Sequence, residues 1–189
     1  MQQPNFFINT KGEISRLFLE RGITTFVEAG EFVARLQYGR NSHKEDIKTL
    51  FSDNCGTCST KHALLKRLAD EQGRQDIKLI MGIFCMDKEN TPKVAEVLKK
   101  YKLPYLLEAH NYLKYNDIRL DFTLPKEKAL DFENSLLEEI EIEPTQITTF
   151  KIEYHQKALA HWLACNDHFP YTLAQLWQIR EECIQALST

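Results

Sequence analysis

His110-Asn111-Tyr112-Leu113-Lys114-Tyr115-Asn116-Asp117-Ile118-Arg119-Leu120-Asp121-Phe122-Thr123 is two alternating runs around one polar dipeptide. Alternation of apolar and polar residues has the period of a strand. Asn116-Asp117 serves as a two-residue loop, although it lacks the Asn-Gly or Asp-Gly signal. Pairing Tyr115 with Ile118 sets Leu113 opposite Leu120 and Tyr112 opposite Asp121. One face then carries Leu113, Tyr115, Ile118 and Leu120, which is a core face. The other carries His110, Tyr112, Lys114, Arg119, Asp121 and Thr123. In this register His110 and Asp121 are diagonal neighbours with Cα atoms roughly 7–8 Å apart, within reach of a side-chain hydrogen bond. A slip of one residue splits the pair and scrambles the apolar face as well.

Upstream, Gly56-Thr57-Cys58-Ser59-Thr60-Lys61-His62-Ala63-Leu64-Leu65 reads as a tight turn opening into a helix. Thr57 is the N-cap, Ala63, Leu64, Leu65, Leu68 and Ala69 form the apolar stripe, and Gly73 ends the segment. Cys58 falls in the first turn, where unpaired N–H groups and the helix dipole favour a thiolate. The same N–H groups suit an oxyanion. A free cysteine is commonly just a small buried hydrophobe. Cys58, His110 and Asp121 together are the parts of a nucleophilic triad: a thiol, an imidazole to take its proton and a carboxylate to orient the imidazole.

The Gly-x-Cys helix start, the later histidine on a strand and the Arg119-Leu120-Asp121-Phe122-Thr123 ending resemble the transglutaminase-like superfamily of papain-type cysteine enzymes. The resemblance covers about Asn54 to Thr123. It implies an α+β fold in which the nucleophile helix packs on an antiparallel sheet. It also implies Cys58 as nucleophile, His110 as general base and acid, and Asp121 as the orienting carboxylate. Tyr112 fits the aromatic residue that many relatives carry two positions after the histidine. Ser59 stands where many have Trp, and Phe122 where many have Pro. The activity implied is acyl transfer from a peptide or other amide through a thioester on Cys58, with hydrolysis favoured and no cofactor or metal required. Asn54, Gly56, Tyr38, His62 and Tyr112 are the candidates for a substrate wall or oxyanion site.

Composition bounds these readings. A chain of 189 residues can bury a substantial core without disulfides or metal. A net charge of −3 offers no electrostatic case for nucleic acid or an anionic membrane. Met1-Gln2-Gln3-Pro4-Asn5 carries no basic or long apolar stretch, so neither secretion nor membrane insertion is indicated. Five loosely spaced cysteines suit a reducing compartment, hence an expected cytoplasmic location.

One domain is expected, with a core over about 42–125 and helical extensions at 1–41 and 126–189. Ile14 to Glu20, Phe26 to Leu36 and Ser42 to Phe51 read as helices, the last with a Ser42/Glu45 capping box. Ile77 to Cys85 reads as a central strand and Lys93 to Tyr101 as a helix behind Pro92. Pro104 leads into the strand of His110. Lys126 to Glu139 reads as a charged helix, Glu138 to Pro144 as a linker or a solvated helix end, and Gln146 to Leu163 and Thr172 to Leu187 as helices.

Two rival chemistries use Cys55. Cys55-Gly56-Thr57-Cys58 is a Cys-x-x-Cys at a helix start, the arrangement of a thiol–disulfide redox pair. It lacks the strand and adjoining aromatic residue that such a pair needs. Zinc bound by Cys55, Cys58, His62 and His110 has one suitable spacing but no second close ligand pair. A catalytically inactive binding module on the same fold is the non-enzyme alternative. Glu108 is expected at a solvated strand edge, and Cys85, Cys165 and Cys183 as buried thiols. His155, His161 and His168 share no spacing that suggests ligands.

Overall fold

The computed structural model describes residues 3–128, 131–166 and 169–188, so His168 lies outside the described residues. Helices α1 (Glu13–Leu19) and α2 (Phe26–Arg35) come first. Thr25 opens α2 with a capping box: its hydroxyl accepts the Glu28 N–H at 3.3 Å, and the Glu28 carboxylate accepts the Thr25 N–H at 3.0 Å. Strands β1 (Gln37–Tyr38) and β2 (Cys55–Gly56) form a short parallel pair, with helix α3 (Thr49–Asp53) between them in sequence. Then follow α4 (Cys58–Glu71), β3 (Lys78–Met86), and a 3₁₀ turn at Pro92–Val94 that runs into α5 (Ala95–Lys100). Strands β4 (Leu106–Tyr115), β5 (Ile118–Leu120) and β6 (Leu136–Glu141) precede α6 (Thr149–Ala164) and α7 (Leu173–Leu187). The larger sheet has the order β5-β4-β3-β6. The chain is α+β.

The hairpin has the register its side chains demand: Leu113 pairs with Leu120, Lys114 with Arg119 and Tyr115 with Ile118, antiparallel. Asn116 and Asp117 take φ values of 47° and 62°. Two successive positive φ values make a type I′ turn, whose twist matches that of the strands. Asn and Asp tolerate this backbone better than other non-glycine residues. Asp121 lies one residue beyond the end of β5.

Two stretches differ from the sequence reading. Residues 42–48 are turns, and only Thr49–Asp53 is helical. The Ser42 N–H donates to Asp53 Oδ2 at 2.7 Å, and Lys48 N–H donates to Asp46 Oδ1 at 3.1 Å. Asn41 Nδ2 donates to Thr49 Oγ1 at 2.7 Å and to the His43 carbonyl at 2.9 Å. Short polar side chains capture the groups a helix would use, and no Ser42/Glu45 box forms. The stretch 126–139 is not a helix either. It has 3₁₀ turns at Lys126–Lys128 and Glu133–Ser135, with residues 129 and 130 outside the described residues, and β6 begins at Leu136. The expected linker is largely this strand. Ile140-Glu141-Ile142-Glu143 has period two, and the Ile142 N–H donates to the Leu79 carbonyl at 2.9 Å.

The chain forms two compact units, one from residues 1–81, 111–129 and 140–147, the other from 82–110, 130–139 and 148–189. The core of 42–125 delimited from sequence coincides with neither. In the first unit, α4 is packed by α1, α2 and the 3₁₀ turn at Pro144–Ile147. The Glu71 carboxylate fastens α1 to α4 by accepting the Ile14 N–H at 3.0 Å and the Ser15 N–H at 2.6 Å. Phe18, Phe26, Leu64, Leu65 and Leu68 are fully buried there, each worth about 1.5–3 kcal/mol relative to exposure. In the second unit, α7 packs on α5, on α6 and on the turn at Pro92–Val94. Its core includes Phe84, Val94, Leu106, Leu159, Leu176 and Ile179.

Candidate functional site

Cys58 is the first residue of α4 and is buried, with 7% exposure. Thr57 N-caps the helix as read, but Thr60 supplies the side-chain bond, its Oγ1 accepting the Thr57 N–H at 3.1 Å. The first intrahelical bond is Lys61 N–H to the Thr57 carbonyl at 3.0 Å. The N–H groups of this first turn lie at the positive end of the helix dipole. Ser59 Oγ donates to Asn111 Oδ1 at 3.0 Å, and Asn111 Nδ2 donates to the Ile80 carbonyl at 3.1 Å. One buried carboxamide thus ties the helix start to β4 and β3. Cys58 Sγ lies 3.9 Å from Ser59 Oγ.

Asp121 and His62 meet in the same unit. The His62 ring is fully buried, with Nδ1 2.8 Å from the Cys58 carbonyl and Nε2 2.8 Å from the Phe122 backbone nitrogen. A backbone N–H can only donate, so Nε2 accepts and Nδ1 carries the proton. Asp121 Oδ1 approaches Nε2 to 3.4 Å but accepts the Thr123 N–H at 2.8 Å. His62 is therefore a neutral strut between the nucleophile helix and the Asp121 segment, and its contact with Asp121 is not an ion pair. His62, a substrate-wall candidate by sequence, is instead enclosed, with both ring nitrogens committed inside the core.

His110 belongs to the other unit. It is buried, and its ring makes edge contacts with Phe132 at 4.7 Å and Phe84 at 6.1 Å between centroids. Two residues upstream, Glu108 is buried rather than solvated. Arg180 clasps it through Nε at 2.8 Å and Nη2 at 2.6 Å. Burial pushes the Glu108 carboxyl up, but Arg180, His155 and Lys151 outweigh it and hold the group at about 2. His155 Nε2 is 2.8 Å from the Leu107 carbonyl, and burial lowers its imidazole.

The remaining candidates differ in exposure. Asn54 is exposed, ends α3 in the left-handed region with φ 52°, and its carbonyl accepts the Gln37 N–H at 3.1 Å. Gly56 is buried, and a Cβ there would come within 2.9 Å of Leu50 and 3.1 Å of Lys61. Tyr38 is half-buried on β1, whereas Tyr112 is fully buried and offers no wall to solvent. The Cys55 thiol donates to the Arg40 carbonyl at 3.6 Å, and burial together with Asp53 raises it. The five cysteines form no disulfide; Cys165 is exposed and Cys85 half-buried, while burial raises Cys183 to about 12.

Sequence reading passed over Lys61. It is fully buried, with Nζ donating to the carbonyls of Leu36 at 2.7 Å, Thr123 at 2.8 Å and Ala34 at 3.5 Å. Its signal was present: positions 61, 64, 65 and 68 share one helical stripe, so a lysine stood on the apolar face. The Ser59–Asn111 and Glu108–Arg180 pairs had no such signal, because each joins residues far apart in sequence. No protein-family model matches this chain, and neither the curated proteins nor the solved structures contain a match.

Proposed function

We propose that the chain is a cysteine-dependent amide hydrolase or acyltransferase of transglutaminase-like, papain-related architecture, acting through Cys58. His110 takes the thiol proton as Sγ attacks the amide carbonyl. The imidazolium then protonates the leaving amine, and water drawn through the same base hydrolyses the thioester. Asp121 orients the imidazole, and the N–H groups at the start of α4 bind the oxyanion. The observation that carries the reading is the buried Ser59–Asn111 hydrogen bond. It ties the residue after the thiol to β4, the strand that also carries His110. Hydrolysis is preferred to transfer because nothing in the sequence suggests a dedicated amine site.

Five loosely spaced cysteines suit a reducing compartment, so the proposed location is cytoplasmic. Among the described residues no helix is long and apolar enough to cross a membrane. The test is the rate of iodoacetamide alkylation against pH, resolved by site with mass spectrometry, in wild type and His110→Ala. Rapid labelling of Cys58 near neutral pH that disappears in the variant is expected. Labelling indifferent to His110 would remove the triad. Labelling governed instead by Cys55→Ser would move the chemistry to a redox pair.

A further inference from the structure

We propose that Lys61 is a positioning residue of the Cys58 site, clamping the Asp121 segment to the end of α2 and supplying the buried positive charge that favours a Cys58 thiolate. The proposal rests on the reading of Cys58 as nucleophile. Lys61 lies three residues after Cys58 on α4, and its side chain is fully enclosed. Every hydrogen bond of its ammonium among the described residues goes to a neutral carbonyl, on Ala34, Leu36 or Thr123. Two of these carbonyls end α2, and the third is two residues from Asp121. One group thereby fastens three segments around the start of α4.

Neutral carbonyls compensate a buried ammonium poorly, and an apolar side chain of like volume would fill the space without that cost. The charge is therefore the informative feature. Burial lowers Lys61 to about 8, while Asp121, Cys58 and Cys55, the titratable groups facing it, each push it back up. Coupling between two sites is reciprocal, so a thiolate at Cys58 that raises Lys61 must itself be favoured by the Lys61 ammonium. Cys55 faces the same cation, but its burial and Asp53 outweigh it.

The test compares site-resolved Cys58 alkylation between pH 5 and 9 in wild type, Lys61→Met and His110→Ala, with exposed Cys165 as internal reference. Circular dichroism checks that each protein is folded. In Lys61→Met the Cys58 midpoint is expected to move up by about one pH unit, a tenfold loss of labelling rate below it. A second measurement needs no Lys61 variant: the ¹³Cε titration of Lys61 by NMR is expected to fall when Cys58→Ser removes the thiolate. If His110→Ala abolishes fast labelling while neither Lys61→Met nor Cys58→Ser moves the partner's titration, the role of Lys61 is overturned and the Cys58 reading stands. If wild-type Cys58 labels no faster than Cys165, both fall together.

Discussion

His62 shows how one side chain can mislead when read alone. A histidine one turn after a cysteine suggests a ligand or a groove residue, yet its Nδ1 is committed to the Cys58 carbonyl and its Nε2 to the Phe122 N–H. Removing the ring leaves two buried backbone groups without that partner and opens a cavity. His62→Ala is expected to cost about 3 kcal/mol, read as a lower urea midpoint at constant m-value. His62→Gln, which can offer one donor and one acceptor, should recover part of that loss. Thr57 as N-cap, Cys58 at the helix start and Gly73 as terminator were legible because each depends on neighbours within a few residues. Gly73 indeed takes φ 76° just beyond α4. Lys61 and His62 were not, because their burial is imposed by α2 and by the segment after β5, which are remote in sequence.

Among the elements, those with a clean period came through and those dominated by charge did not. The hairpin register followed from alternation alone, and α4 from its cap, stripe and glycine stop. In residues 126–139 abundant glutamate masked the alternation that makes Leu136–Glu141 a strand. Glu108 is the sharper case, since a glutamate in a strand reads as an edge residue until α7 brings Arg180 to it. That pair predicts an acid response. The folded carboxyl sits at about 2, below its ordinary 4.5. Its contribution is therefore complete above pH 4.5 and is lost as pH falls from there towards 2. The loss amounts to about 3 kcal/mol across that window. Burial lowers His155 too, and its charging on acidification acts in the same direction. Urea denaturation as a function of pH should show this slope in wild type and a flatter one in Glu108→Gln.

At the scale of the whole molecule, the chain's two units are each assembled from three separate stretches. Helices α1 and α2, read from sequence as extensions, pack directly on α4. A fragment spanning 42–125 would lose Phe18 and Phe26 from the core, the Lys61 acceptors on Ala34 and Leu36, and the turn at Pro144–Ile147. Such a fragment is expected to show no cooperative thermal transition by circular dichroism and no dispersed amide NMR spectrum, whereas the full chain shows both. The α+β class, the long helices, the hairpin register and the identity of the thiol helix were legible in the chain. Those depend on periodicity and on caps, which act over a few residues. The burial of Lys61, His62 and Glu108, the anchoring of Ser59 by Asn111 and the edge strand in the charged stretch were not legible there. Burial and long-range hydrogen bonds depend on which remote segments meet, and that is settled by the free energy of the packed whole rather than by local preference.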